Sequence, residues 1–249
     1  MKTRILLLIL FGSFFYGSLF SQTTNFALRF NGDGKVDCRT ISDLNNLDLY
    51  SVQCLVNPSE WVENAYVFKR GNGDEEYSLR FGTSGQLIYK TATQEFIVAN
   101  DLPIGSWTQL TISAFANGID VWTNGEKKWI ANTGGAVIPE TSEPFVIGEN
   151  FKGRIDEFRF WKTEMPGAEP ENLMFRNTVN KFHPKYDDLL FYYKFDQDQC
   201  EDIVDYKLAH HGEPTNVTRE AVIDNDYFKY RVVTGYSSFV RHCDRLQID

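Results

Sequence analysis

Gly153-Arg154-Ile155-Asp156-Glu157-Phe158-Arg159-Phe160-Trp161 reads as a strand entered through a glycine turn. Ile155 and the aromatic residues supply the bulk that a pleated, half-buried surface accepts. Working outward, Asn25-Phe26-Ala27-Leu28-Arg29-Phe30-Asn31-Gly32-Asp33-Gly34-Lys35-Val36-Asp37 lies well upstream, and Leu190-Phe191-Tyr192-Tyr193-Lys194-Phe195-Asp196 lies downstream. Short apolar runs predict strands over 26–30, 49–56, 65–69, 77–81, 86–90, 108–114, 119–123, 145–147 and 154–161. Turn signals separate them at Asn72-Gly73-Asp74, Ser84-Gly85, Asn117-Gly118, Asn124-Gly125 and Gly134-Gly135. Asn-Gly suits a primed turn, because both central residues need positive φ, so 119–125 predicts a hairpin. Many short strands at this spacing are the mark of a sandwich or jelly roll. One short helix is expected over 170–179, opened by Pro170 and Glu171. A strand then returns over 189–195, and 227–233 and 237–241 look like two more.

The 249 residues suffice for one large all-β domain with accessories, or for two small domains. A net charge of −9 with no basic stripe argues against nucleic acid and against anionic membranes. Aromatic residues make up 15% of the chain, enough to fill a sandwich core or to offer rings to sugars. Met1-Lys2-Thr3-Arg4, an apolar run over 5–20 and Ser21-Gln22 make a secretory signal peptide. An uncleaved anchor is the alternative. The expected organisation is a signal peptide over 1–21, a sandwich over 22–216 and an extension over 217–249, with a secreted or cell-surface location. No membrane insertion is expected after cleavage.

Four cysteines, Cys38, Cys54, Cys200 and Cys243, suggest two disulfides with three possible pairings. Nearness in sequence favours Cys38–Cys54 and Cys200–Cys243; buried free thiols are the alternative. No C-x-x-C pair points to zinc.

Further segments fall in order between and after these landmarks. They are Leu49-Tyr50-Ser51-Val52-Gln53-Cys54-Leu55-Val56-Asn57-Pro58, Gly105-Ser106-Trp107-Thr108-Gln109-Leu110-Thr111-Ile112, Asp120-Val121-Trp122-Thr123-Asn124-Gly125 and Asp205-Tyr206-Lys207-Leu208-Ala209-His210-His211-Gly212. Together the segments resemble laminin-G-like domains of the concanavalin A-like lectin/glucanase group, over roughly residues 25–216. The resemblance implies an all-β fold, a two-sheet antiparallel β-sandwich of jelly-roll type, often with a structural calcium ion and usually outside the cell. The expected additions are one short helix and a small C-terminal β extension. Relatives bind glycans or proteins. The leader resembles those of Bacteroidetes-type bacteria.

Catalysis is not expected. Retaining glucanases of this fold carry Glu-x-Asp-x-x-Glu or Glu-x-Asp-x-Glu on one strand face. Here Arg154 stands in place of the first glutamate, and adjacent Asp156 and Glu157 should point to opposite faces. His210-His211 comes with no nucleophile elbow. For calcium (Ca2+), Asn31 and Asp33 in a glycine-relieved turn, with Asp156 and Glu157, offer oxygen ligands. A plain turn plus a salt bridge to Arg154 or Arg159 is the alternative. For a ligand face, Trp61, Trp122 and Trp129 are candidates, with Arg70, Asp74, Arg80 and Tyr89. Trp122 alternates against Ile119 and Val121, whereas Trp107 and Trp161 align with core positions of the resembled family. The alternative is that these rings cover a sheet face. The leading expectation is a non-catalytic module for a glycan or a surface protein; a glycoside hydrolase and a structural spacer are the rivals.

Overall fold

The structure is a computed structural model and describes residues 25–92, 94–131, 136–165, 179–196 and 202–222. The expected signal peptide, the body of the expected helix, the strands expected over 227–233 and 237–241, Cys200 and Cys243 lie outside the described residues. The strands are β1 (Asn25–Asp37), β2 (Tyr50–Pro58), β3 (Tyr66–Arg70), β4 (Tyr77–Phe81), β5 (Leu87–Thr91), β6 (Gln94–Ala99), β7 (Thr108–Phe115), β8 (Gly118–Thr123), β9 (Glu126–Ala131), β10 (Phe145–Ile147), β11 (Lys152–Trp161), β12 (Leu189–Tyr193) and β13 (Glu213–Val222).

They form one antiparallel network in the order β6-β5-β4-β3-β10-β1-β11-β2-β7-β8-β9, with β12 on β11 and β13 on β1. The network folds over on itself until its ends, β6 and β9, touch. β1 makes the fold possible. Its first half pairs with β11 and its end pairs with β10, so one strand serves both layers. The 31–34 stretch, read from sequence as a turn, is an irregular middle of that strand, with a register shift against β13 between Phe30 and Lys35. The Asn-Gly hairpin is present between β8 and β9, with φ of 51° at Asn124 and 78° at Gly125. Strands β6 and β13 were not predicted from sequence, and β9 was expected only as the second arm of the 119–125 hairpin. β13 is polar on much of its length, and β6 and β9 open on Gln94-Glu95 and Glu126-Lys127-Lys128, as strands paired on one side tend to carry charge.

The core lies between the layers. Val52, Cys54 and Val56 of β2, Leu110, Ile112 and Ala114 of β7, and Ile155, Phe158 and Phe160 of β11 all face it. Phe145 stacks on Phe68 at 5.5 Å and meets Phe158 and Phe191 edge-on at 5.9 and 5.4 Å. Such pairs each add roughly 0.5–1.5 kcal/mol beyond area burial. Much of the aromatic content is therefore core.

β11 is not regular. Asp156 pairs with Leu55 and Arg159 pairs with Gln53, so Glu157 and Phe158 together oppose Cys54. Glu157, at φ 52°, is part of this bulge. The extra residue breaks the alternation that had put Asp156 and Glu157 on opposite faces. Phe158 and Phe160 still reach the core, while Glu157 turns to Arg159 and Tyr192 on the outer side.

Cys38 and Cys54 are buried free thiols, which corrects the expected disulfide. Cys38 follows the end of β1, which pairs with β10, whereas Cys54 lies on β2 between β11 and β7, so the two thiols come from opposite layers, whose backbones lie about 10 Å apart. Burial pushes the Cys38 thiol up to about 12 and raises Cys54 as well. Both should resist alkylation at pH 8 in the native protein and react on unfolding without reductant. Labelling of the native protein would overturn this. The sign for stability follows from the same burial. A group whose pKa is raised by folding lends full stability below its unfolded value and loses it as pH climbs toward the folded one. With Tyr50, Tyr77 and Tyr89 raised by burial in the same direction, stability should fall from about pH 9 upward.

Candidate functional site

Opposite the core, the β12-β11-β2-β7-β8-β9 layer carries a polar face. One row of paired residues runs Tyr192, Arg159, Gln53, Thr111, Trp122 and Lys127. The next runs Trp161, Ser51, Ser113 and Asp120. Trp161 Nε1 donates to Gln53 Oε1 at 2.9 Å, and Lys127 meets Asp120 at 2.7 Å. Lys127 also lies over the Trp122 ring at 4.9 Å, and Arg154 over Trp107 at 5.1 Å. Arg159 and the Tyr192 hydroxyl both donate to Glu157. Burial works against the Arg159 charge, but Tyr192 and Glu157 outweigh it and hold the guanidinium protonated.

This face is covered. Trp122 is 3% exposed, Trp107 7%, and Arg159 and Gln53 are buried. Trp122 does face away from Ile119 and Val121, as its phase indicates, but the side it faces is also closed to solvent. It is not an exposed platform.

The other ligand candidates scatter. Arg70 is buried, clamping Asn45 Oδ1 and the Thr141 carbonyl. Carbonyl and amide oxygens accept hydrogen bonds from both of its terminal nitrogens, while its buried Nε finds no partner. Tyr89 lies in the core with its hydroxyl against that of Tyr50. Arg80 pairs with Glu95 at 2.6 Å on the outer side of β4. Asp74 is exposed in a 3-10 turn over Gly73–Glu75. The Trp129 backbone pairs with Val121, and its side chain lies outside the described residues.

The four calcium candidates do not converge either. Asn31 accepts from Arg29 at 3.3 Å, and Asp33 accepts from Asn216 at 3.4 Å. Glu157 is buried with Arg159 and Tyr192, and Asp156 Oδ1 accepts the Glu157 amide at 2.7 Å. Among the described residues no three His, Cys, Asp or Glu side chains gather closely enough for a metal.

Among the candidate tryptophans with described side chains, Trp61 is accessible, 40% exposed on the loop after β2. Three loops meet beneath it. The Leu102 amide donates to Gly85 O at 3.2 Å, and the Gly105 amide to Pro58 O at 2.8 Å. Trp61 Nε1 donates to Leu102 O at 2.8 Å. The indole lies so close to Gly85 that a Cβ there would stand 2.6 Å from Nε1. The ring is thus pinned at one edge and against backbone, with the rest open. Next to it in sequence, Glu60 pairs with Lys152 at 2.6 Å, and both side chains are about half open, at 52% and 40%. The Lys152 stem crosses Gly32, where a Cβ would lie 2.9 Å from Lys152 Cε. Gly32, at φ 99°, is the glycine of the supposed calcium turn; it makes room for a lysine instead. Glu60 and Lys152 were not singled out from sequence, because nothing local marks an ion pair between a loop and a strand far apart in the chain.

Solved structures share this fold. A protein assigned as carbohydrate binding, from Bacteroides ovatus, matches with a TM-score of 0.66 at 18% identity, over 80% of this chain and 60% of that one. The chain therefore spans about 60% of that protein's length. A heptameric SAP-like pentraxin from Limulus polyphemus matches with a TM-score of 0.56 at 12% identity, over 81% and 97%. Domain 4 of AbnA, an extracellular arabinanase of Geobacillus stearothermophilus solved with arabinotriose, matches with a TM-score of 0.51 at 21% identity, over 59% and 76%. At these identities the likeness shows the fold. Comparison with curated proteins gives no match. A family model of the concanavalin A-like lectin/glucanases superfamily matches residues 30–169, and the chain belongs to that superfamily.

Proposed function

We propose that the chain is a secreted or cell-surface module that binds carbohydrate at the Trp61 rim and performs no chemistry on it. The reading rests on Trp61, an exposed indole fixed by Leu102 O and the Gly85 backbone. The C–H face of a sugar sheds water against such a ring, and its hydroxyls need polar partners alongside. A ring already held in place loses little freedom when a ligand arrives. Support comes from fold relatives, one assigned as carbohydrate binding and one solved with arabinotriose. A passive role is favoured because Glu157 is engaged by Arg159 and Tyr192, and Asp156 by the Glu157 amide. A general acid or base must instead reach the substrate.

A glycan array followed by calorimetry tests this. Trp61→Ala should weaken binding at least about 10-fold while costing only about 1–2 kcal/mol of stability, for one hydrogen bond and part of a ring. Trp61→Phe should retain much of the affinity. Unchanged binding in Trp61→Ala would remove the rim from consideration. Release of reducing ends from the bound glycan would reinstate the hydrolase.

A further inference from the structure

We infer that Glu60 and Lys152 are the specificity-determining half of the Trp61 rim and select uncharged sugars over acidic ones; this rests on the glycan reading of Trp61. The ion pair measures 2.6 Å, yet both side chains remain about half open to solvent. The Lys152 stem is laid across Gly32 and its ammonium meets Glu60. Glu60 immediately precedes the exposed indole.

A carboxylate that accepts, on the residue that precedes the exposed indole, and an ammonium that donates match the two needs of a sugar hydroxyl. The same pair discriminates. The ammonium is already neutralised by Glu60, so an incoming carboxylate gains little from Lys152 and is repelled by Glu60. Like charges brought together at an interface suppress the wrong partner. The strain at Gly32 also has a role in this arrangement. Glycine suits φ 99° there, and a Cβ would push the lysine stem aside.

The test uses two probes: the neutral glycan that binds best on the array, and the same glycan oxidised at C6 to the uronate. Wild type should bind the neutral form about 10-fold or more tighter. Glu60→Gln frees the ammonium and should raise the uronate-to-neutral affinity ratio by about 10-fold. Lys152→Met keeps the stem over Gly32 but leaves Glu60 alone, so neutral binding should weaken and the ratio should fall further. High salt should narrow these differences. Trp61→Ala serves as the separate control. If Trp61→Ala abolishes binding but neither charge variant moves the ratio, the selectivity inference fails and the platform stands. If Trp61→Ala leaves binding intact, the platform itself fails. A ratio that moves in opposite directions in the two charge variants supports the inference.

Discussion

Replacing Gly153 with alanine should destabilise the domain by about 3–5 kcal/mol, the sum of a forbidden backbone angle and an overpacked contact. Gly153 sits at φ 144° at the head of β11, where it pairs with Phe30 on one side and Pro58 on the other. A Cβ there would collide with the Asn57 carbonyl oxygen, stand 2.8 Å from Pro58 Cα and 3.0 Å from Ser59 N. These obstacles are backbone, held in a ladder, so no side chain can swing away. The damage would fall on the strand between β1 and β2. Urea denaturation measures it: the midpoint should drop steeply with little change in slope. A midpoint within experimental error of wild type would mean that β2 gives way easily at Pro58.

Arg159→Ala should cost a similar amount, about 3–5 kcal/mol, for a different reason. Arg159 and Glu157 are both buried and meet each other, with the Tyr192 hydroxyl on the same carboxylate. Removing the guanidinium strands a carboxylate away from water. A double variant, Arg159→Leu with Glu157→Gln, should recover part of the loss, since no bare charge remains. A double-mutant cycle from chemical denaturation gives the coupling directly. A loss under about 1 kcal/mol in Arg159→Ala would show that water reaches Glu157.

The fold was legible where side-chain period and turn chemistry agree. Asn124-Gly125 demanded a primed hairpin, and both residues take positive φ. The runs over 77–81 and 145–147 coincide with β4 and β10. The candidate site was less legible, for three physical reasons. Alternation cannot anticipate a bulge, and one extra residue at Glu157 moved a carboxylate across β11. Strand phase says which way Trp122 points but not whether that side is covered, and it is. A polar residue such as Arg70 or Tyr89 suggests a surface, yet each found partners in the interior. Trp61 was singled out from sequence. Glu60 and Lys152 were not, because their pairing depends on a lysine stem passing over a glycine of another strand.

The pairing of β1 with β13 has a mechanical consequence. Asn25 opposes Val222, so the first and last strands described run side by side and end at the same edge of the domain. A stretching load applied at those two points would not shear the ladder, which would set every rung in resistance at once. It would unzip it, rung by rung, from Asn25–Val222 toward Asp37–Glu213. β1 would stay anchored on its other flank by β11 and β10. A module tethered this way, tugged by flow or by a held glycan, would pay out β13 at low force before its core felt the pull.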